Sequence, residues 1–183
     1  MAFKFERKNI PDVIVIEKAS YEDDRGFFEE AYKKSVFTDA GIDGNFVQDN
    51  HSFSKKGVIR GLHFQKPPHA QGKLVSVISG KIFDVAVDLR PKSEHIGKWV
   101  FEYLSGDNHK MLWIPEGFAH GFLALEDSHV LYKTTDEYHH ETEDGIIWND
   151  QDLKIEWPSF TCIVSEKDRQ FCTFKDIIKR GVF

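Results

Sequence analysis

The sequence predicts an all-β fold in which two sheets face each other in a barrel, flanked by short helices. Runs of alternating apolar and polar residues, rich in Val, Ile and Phe, recur roughly every ten residues with Gly, Pro, Asp or Asn between them. The 16 Phe, 5 Tyr and 4 Trp strengthen this prediction, because aromatic and β-branched side chains favour strands. Amphipathic helices do not alternate with these runs, so the βαβ units of a parallel sheet are not expected. Regular short strands of this kind favour a sandwich or a barrel.

The N-terminal part of the chain is expected to contain three strands and one helix. Alternating residues predict a half-buried strand at Phe3–Arg7, and residues 13–16 form a second apolar run. A strand this close to the N-terminus can pair within the chain or across a subunit interface. Residues 21–30 combine an acidic turn with an aromatic strand. A short helix is predicted from Ser35, as its N-cap, to residue 40, with Gly41 as the stop.

The middle of the chain is predicted to be strand after strand, and the tail is not. The predicted strands lie at residues 58–65, 73–78, 82–88, 99–104, 111–114, 118–125 and 130–135. The pattern breaks at Trp157, and a terminal helix is predicted at residues 175–180 with Gly181 ending it. No linker, repeat or low-complexity run divides the sequence. Residues 1–183 are therefore expected to form a single domain with a tail at about 158–183.

Charge and cysteine content argue against several classes of protein. A formal net charge of −6 disfavours a general nucleic-acid or anionic-membrane surface, because such surfaces need clustered Lys and Arg. Cys162 and Cys172 indicate neither a zinc knuckle nor a disulfide framework, although a single bridge between them stays open. The sequence has neither an apolar run of signal-peptide length at its N-terminus nor an 18-residue apolar stretch elsewhere. We therefore expect a soluble, cytoplasmic protein that binds neither nucleic acid nor membrane.

One stretch, Val58–Gln65, combines groups that suit a reaction. It places Arg60, Gly61 and His63 within four residues, between two apolar runs. A guanidinium can anchor an anionic group while a nearby imidazole exchanges protons near neutral pH. The alternative is an ordinary strand with a solvated arginine and a hydrogen-bonded histidine. The choice between them depends on residues elsewhere in the chain.

Residues 114–122 have the P-x-G-x-x-H spacing of the second cupin motif, and here the chain resembles the cupin jelly roll. A metal-binding cupin would join His120 to an earlier H-x-H pair and a carboxylate. Two residues after His63, however, Gln65 stands where the second histidine would be, and an amide is a poor ligand for iron, manganese or zinc. His51 supplies a third imidazole, but the spacing matches no metal motif. A metal-dependent oxygenase is therefore disfavoured, and a metal site is not expected.

Further motifs narrow the resemblance. From about residue 12 to residue 170 the chain resembles the dTDP-4-dehydrorhamnose 3,5-epimerases, with the family's motifs in order and in register. These motifs lie at residues 24–27, 46–50, 60–65, 71–75, 84–90, 117–122 and 165–168. Each is weak alone, but their joint occurrence is specific. The resemblance implies a cofactor-free isomerase of dTDP-rhamnose and cell-surface polysaccharide biosynthesis, which inverts the two carbons beside the C4 ketone of a dTDP-keto-sugar.

The resemblance also implies catalytic roles. His63 is the general base and Tyr132 the general acid, Asp168 orients His63, and Lys73 lies beside the C4 oxygen, where the enolate charge develops. Considered one at a time, each residue has an ordinary structural explanation. Tyr132 is favoured in any strand, Lys73 could be the solvated end of a strand, and Asp168 could be a turn residue. Tyr138 is a rival acid, and only the family register prefers Tyr132.

The substrate-binding residues that the resemblance implies are Arg25, Glu30, Gln48, Asp49, Asn50, Arg60, His120, Tyr138, Glu143 and Lys167. A diphosphate needs convergent cations, which Arg25, Arg60 and Lys167 supply. Gln48 and Asn50 offer amides to the base or the sugar. In this family the arginine at the position of Arg25 is expected to come from the partner subunit, which implies a homodimer.

Two other functions stay open at this point. A relative that inverts only one carbon, C3 or C5, of a related dTDP-keto-sugar would keep the same catalytic residues. A non-catalytic cupin that binds a nucleotide sugar would keep the binding residues and show no turnover. The sequence favours the double epimerase, which converts dTDP-4-dehydro-6-deoxy-D-glucose to dTDP-4-dehydro-L-rhamnose.

Overall fold

The computed structural model describes residues 2–183 as a mostly β structure with three short helices. The strands are β1 (Phe3–Arg7), β2 (Ile14–Lys18), β3 (Ser20–Asp23), β4 (Gly26–Glu29), β5 (Gln48–Ser54), β6 (Val58–Gln65), β7 (Lys73–Ser79), β8 (Lys81–Asp88), β9 (Trp99–Ser105), β10 (Lys110–Ile114), β11 (Phe118–Ala124), β12 (Ser128–Thr134), β13 (Glu143–Gly145) and β14 (Ile163–Val164). The helices are α1 (Lys34–Asp39), α2 (Glu166–Arg169) and α3 (Phe174–Arg180). None of these helices is long and apolar enough to cross a membrane.

Two sheets enclose the main core. The first has the strand order β1-β2-β10-β7-β12-β5, and the second has the order β13-β6-β11-β8-β9. Neighbours within both orders are antiparallel, while β14 joins β6 in parallel. Every strand predicted between residues 58 and 135 forms, with ends that differ by at most two residues. The predicted double-sheet barrel is confirmed.

Apolar side chains from the inner faces of both sheets fill the space between them. Val75 and Leu112 come from the first sheet, Ala86 and Phe122 come from the second, and all four are buried in one cluster. Because successive side chains of a strand point to opposite faces, the alternating sequence places one apolar set in this core.

The outer face of the second sheet is covered by the C-terminal segment. Leu153 and Ile177 pack there in one cluster with Phe83 and Val85 of β8. Each residue of β8 after Lys81 is buried, because this strand has apolar neighbours on both faces. The tail therefore forms a third layer of the fold.

Helix α1 forms where it was predicted, but without the predicted cap. Ser35 lies inside the helix, and the N-cap position is occupied by Lys33, whose side chain makes no capping hydrogen bond. Burial of Phe37, which meets the ring of Phe3 edge-on at 5.1 Å, stabilises the helix instead. The N-cap prediction is wrong because tertiary packing outweighs the local signal. Gly41 follows the helix with a φ of 85°, so the predicted stop is confirmed.

The C-terminal helix α3 agrees closely with its prediction. Thr173 caps it by accepting a hydrogen bond from the backbone N–H of Asp176, and Gly181 ends it in the left-handed conformation. Cys162 and Cys172 are both free thiols, so the bridge left open by the sequence does not form.

The β3–β4 hairpin stands apart from both sheets. It presents three aromatic side chains to the surface, with relative exposures of 57% for Tyr21, 61% for Phe27 and 69% for Phe28. Strand β1 pairs with β2 of the same chain. The hairpin therefore carries a cluster of three exposed aromatic side chains outside both sheets.

Two glycines allow β6 and β11 to come unusually close. Gly61 has a φ of +126°, and a methyl group added to it would lie 2.5 Å from Cα of Gly121 and 2.9 Å from the carbonyl oxygen of His120. A methyl group on Gly121 would in turn lie 2.8 Å from the carbonyl oxygen of Arg60. The pairing register of the two strands shifts at this point, between His120 and Phe122.

We predict that Gly61→Ala lowers the free energy of unfolding well beyond the cost of its backbone conformation. Gly26→Ala is the matched control, because Gly26 has a φ of +121° but nothing within 4 Å of an added methyl group. Conformational strain costs each variant about 1–3 kcal/mol, and overpacking against backbone adds roughly 1–3 kcal/mol at Gly61 alone. Denaturant unfolding measures both, and equal losses would contradict the steric argument.

Candidate functional site

A cavity of about 220 Å³ opens among polar side chains from both sheets. Its lining comes from β5, β6, β7, β12, β13, the turn between β6 and β7 and the loop after β12. The lining residues are Gln48, Asn50, His63, Phe64, Gln65, Gln71, Lys73, Tyr132, Tyr138 and Glu143. Seven of these ten residues are predicted site residues, so the fold brings half of the fourteen predicted residues together in the lining.

Strand alternation explains the contribution of β5. Gln48 and Asn50 are two residues apart and share the cavity face, where the amide of Gln48 donates to Oδ1 of Asn50 at 2.9 Å. Asn50 also lies directly opposite Tyr132 across the β5–β12 pair. Asp49 falls between them on the other face and pairs with Lys133 at 2.8 Å. The structure therefore does not bring Asp49 to the cavity, and its substrate contact stays a prediction.

His63 and Asp168 meet although 105 residues separate them in sequence. Nε2 of His63 lies 2.8 Å from Oδ1 of Asp168, and the other carboxylate oxygen accepts from the backbone N–H of Gly61 at 3.2 Å. Ser165 caps the short helix α2 by accepting from the backbone N–H of Asp168, which fixes the position of this residue. Burial raises the pKa of Asp168, but the hydrogen bonds and the His63 charge outweigh burial and lower it overall. The pair is therefore an imidazole whose orientation is set by a hydrogen bond to an ionised carboxylate.

Lys73 is a buried lysine that faces the cavity. Its residue exposure is 8%, and its ammonium donates to the carbonyl oxygen of His63 at 3.5 Å. Burial lowers the pKa of Lys73 to about 8, while the carboxylates of Asp84 and Glu143 oppose this decrease. Such a group is a desolvated cation aimed at a polar cavity, where it can stabilise negative charge.

The two candidate acids differ in environment. Tyr132 is partly buried and packs against the main core, and burial raises its pKa, with an opposing effect from Arg60. Tyr138 is 49% exposed and donates its hydroxyl to Glu143 at 2.7 Å, a bond that raises its pKa to about 12. Tyr132 therefore suits transfer of a proton inside the cavity better than Tyr138 does.

The cations predicted to bind the diphosphate have different partners. Lys167 pairs with Glu143 at 2.6 Å and so lies at the edge of the cavity. Arg60 donates to Oγ of Ser54 at 2.9 Å and to the carbonyl oxygen of Phe53 at 3.1 Å, and it is near enough to Tyr132 to affect its pKa. Both cations are thus adjacent to residues that line the cavity.

Besides Asp49, three more predicted site residues lie outside the cavity. Arg25 is at the tip of the β3–β4 hairpin, where it pairs with Asp23 at 2.6 Å. Glu30 lines a separate groove beside β1 and α1. His120 is buried and bonds to Asp84 at 2.6 Å, although its Cα lies opposite that of His63 across the β6–β11 pair. Their roles in substrate binding stay predictions.

Gln65 and Gln71 are lining residues that the predicted site omits. Gln65 is buried, and its side chain bonds to the backbone carbonyl of Glu137 at 3.1 Å and to the backbone N–H of His139 at 3.2 Å. Gln71 donates to the carbonyl of Asp136 at 2.8 Å. Both belong to the motifs of the family resemblance, which was the available signal. Their amides hold the loop after β12 against the end of β6 and the turn that precedes β7.

The three histidines weighed as metal ligands have separate partners. His51 contacts His129 at 3.0 Å, whereas His63 and His120 bond to Asp168 and Asp84 respectively. Within the described residues they do not form a cluster of converging ligand atoms.

Known proteins resemble this chain in sequence and in fold over nearly its whole length. The family model described as dTDP-4-dehydrorhamnose 3,5-epimerase matches residues 7–176. The protein of that name from Escherichia coli (strain K12) is 50% identical over 176 residues, covering 94% of this chain and 95% of its own. The one from Pseudomonas aeruginosa is 52% identical over 176 residues, covering 94% and 97% respectively.

A solved structure extends the likeness to a complex with a sugar nucleotide. The dTDP-6-deoxy-D-glucose-3,5-epimerase of Legionella pneumophila, in complex with dTDP-4-keto-L-rhamnose, is 43% identical to this chain with a TM-score of 0.94, covering 98% of this chain and 97% of that one. The resemblance inferred from the sequence motifs is confirmed: the chain belongs to the dTDP-4-dehydrorhamnose 3,5-epimerase family of isomerases.

Proposed function

We propose that this protein epimerises C3 and C5 of dTDP-4-dehydro-6-deoxy-D-glucose and releases dTDP-4-dehydro-L-rhamnose. The observation that carries the proposal is the His63–Asp168 pair, which faces a cavity that also contains a buried lysine and a tyrosine. The family membership and the sugar nucleotide in the Legionella complex support this choice of substrate.

His63 is the general base in this proposal. Because Nε2 is engaged by the carboxylate of Asp168, Nδ1 is the nitrogen with a free lone pair in the neutral ring. It removes the proton from the carbon beside the ketone, and Asp168 stabilises the imidazolium that results. A positioned base of this kind contributes roughly 10²–10⁴-fold to the rate.

Lys73 stabilises the enolate. When the proton leaves C3 or C5, negative charge develops on the C4 oxygen, and a buried ammonium opposite that oxygen offsets it by about 3 kcal/mol. Its lowered pKa of about 8 still leaves the lysine mostly protonated at neutral pH. The low dielectric that lowers the pKa also strengthens the interaction with the enolate.

Tyr132 delivers a proton to the opposite face of the enolate, which produces inversion. The proposal prefers Tyr132 to Tyr138 because Tyr138 already donates its hydroxyl to Glu143 and is half exposed. Arg60 and Lys167 bind the diphosphate, and the amides of Gln48 and Asn50 bind the sugar or the base.

We further propose that the protein acts as a homodimer in which the hairpin of one subunit completes the cavity of the other. The support is that Arg25 lies at the tip of a hairpin outside both sheets, next to the exposed rings of Phe27 and Phe28. Such a surface is typical of a subunit contact.

The proposal treats residues 1–183 as one domain. The cytoplasmic location stays a prediction, which cell fractionation would test.

The first prediction from the proposed mechanism concerns His63. We expect His63→Asn to abolish the exchange of substrate hydrogens at C3 and C5 with solvent deuterium, because the proposed base that removes the proton is gone. NMR of the product in deuterated water measures both positions. His51→Asn removes a surface imidazole and is expected to exchange like the wild type.

The same spectra distinguish the alternative functions. A wild-type product labelled at one carbon would replace the proposal with a single-carbon epimerase. Wild-type protein that binds dTDP yet exchanges neither hydrogen would indicate a non-catalytic binding protein. Undiminished exchange in His63→Asn would show that His63 is not the general base.

The second prediction separates the two tyrosines. Tyr132→Phe is expected to keep measurable deuterium exchange while losing inversion, since the base remains and the acid on the opposite face is gone. Tyr138→Phe is the matched control and is expected to retain inversion. The ratio of exchanged substrate to epimerised product, followed by NMR, reports the difference, and the reverse pattern would assign the acid to Tyr138.

The third prediction tests the shared site by mixing inactive subunits. Arg25→Ala and His63→Asn chains are each expected to be inactive as homodimers, because each site lacks one group. A heterodimer of the two, purified through different affinity tags, contains one complete site if Arg25 acts on the partner's cavity. We expect about half of the wild-type kcat from it. A heterodimer as inactive as the two homodimers would show that Arg25 does not act on the cavity of the partner subunit.

A further inference from the structure

A cluster of metal-ligating side chains lies outside the proposed catalytic machinery. Nδ1 of His69, in the turn between β6 and β7, is 3.0 Å from Oδ2 of Asp136, in the loop after β12. The ring of His139, from the same loop, stacks on that of His69 with a centroid separation of 3.5 Å and an interplanar angle of 16°. One ligand atom from each of the three residues lies within 4.8 Å of the other two.

The backbone around this cluster is already ordered by hydrogen bonds. Gln71 donates to the carbonyl oxygens of Asp136 and Glu137 at 2.8 and 2.9 Å. Gln65 accepts from the backbone N–H of His139 at 3.2 Å. Because these amides fix the relative position of the turn and the loop, a metal ion would lose little free energy in ordering its ligands.

The donor set defines the class of ion. Two imidazole nitrogens and one carboxylate oxygen suit Zn²⁺ and neighbouring divalent transition metals, whereas Ca²⁺ and Mg²⁺ prefer oxygen ligands. Side-chain exposures of 31% for His69, 37% for Asp136 and 32% for His139 leave the cluster accessible from solvent. Glu141, whose carboxylate is 3.5 Å from Nδ1 of His139, can supply a fourth ligand in place of water.

Binding requires a local adjustment of the side chains. Tetrahedral zinc sites with metal–ligand distances near 2.1 Å hold their donor atoms roughly 3.4 Å apart. The stacked rings must also turn so that their lone pairs converge on one point. Partly exposed side chains can make both changes without moving the strands.

We propose that His69, Asp136 and His139 form a binding site for a divalent transition metal of the zinc class. The ion would join the turn before β7 to the loop after β12. Both segments also carry residues that line the cavity, Gln71 and Tyr138. The site is separate from the catalytic groups, so it does not depend on the proposed function.

The test uses wild-type protein with its affinity tag removed and its metals stripped by a chelator. Calorimetric titration with ZnCl₂ is expected to give one equivalent per chain, and thermal unfolding is expected to shift to a higher Tm with Zn²⁺. His69→Ala, Asp136→Asn and His139→Ala should each weaken binding by at least about tenfold and lose the Tm shift.

Two control variants make the result specific. His140→Ala removes an exposed histidine from the same loop, and His129→Ala removes one ring of the His51–His129 pair, whose nitrogens are 3.0 Å apart. Both should bind Zn²⁺ like the wild type. The proposal is overturned if the wild type binds no tighter than His69→Ala, or if a control variant loses binding while the three ligand variants keep it. Unchanged Tm values of the ligand variants without metal would show that the loss is not due to unfolding.

Discussion

The packing of the C-terminal segment on the second sheet is the interaction on which the proposed catalytic pair depends. The outer face of the second sheet carries apolar side chains, and the C-terminal segment covers them with Leu153, Val164 and Ile177. Strand β14 then runs parallel to β6, which brings the cap at Ser165 and the carboxylate of Asp168 beside the strand that carries His63. Apolar burial supplies the free energy, and the hydrogen bonds supply the direction.

The cavity and the core are two results of the same strand geometry. The first sheet turns Val75 and Leu112 toward the main core, while β7 begins with a lysine whose ammonium is directed toward the carbonyl oxygen of His63. Removing that cation from water is unfavourable, as its lowered pKa indicates, and the nearby carboxylates of Asp84 and Glu143 offset part of the cost. A group held in this way is poorly solvated before the substrate arrives, which suits a site that must stabilise a transient anion.

The sequence predicted the strands well because each carries its own signal in alternating residues. The local pattern could not predict that Asp168 contacts His63. The two residues are 105 positions apart in sequence, and their contact depends on how the C-terminal segment packs on the second sheet. Only the family resemblance supplied it. Alternation within β5 could have shown that Asp49 faces away from Gln48, because adjacent strand residues point to opposite faces.

Other features had weaker signals or none. The cap of α1 was mispredicted because burial of Phe37, and not a capping hydrogen bond at Ser35, stabilises that helix. The stacking of His69 on His139 depends on two loops that meet only after the sheets form. Neither loop has a regular pattern from which their distance could be inferred.

The side chain of Gln65 links the chemistry of the cavity to the position of a loop. In the resemblance to the cupins, Gln65 stands where metal-dependent members have a histidine. Its amide donates to the carbonyl of Glu137 and accepts from the N–H of His139, and both bonds position the loop after β12. An imidazole has a different reach from the amide, so Gln65→His would disrupt these bonds, and the loop would then be held by Gln71, which donates to the carbonyls of Asp136 and Glu137. The position therefore couples two properties: a histidine placed there to bind a metal would also weaken the attachment of the loop after β12 to β6.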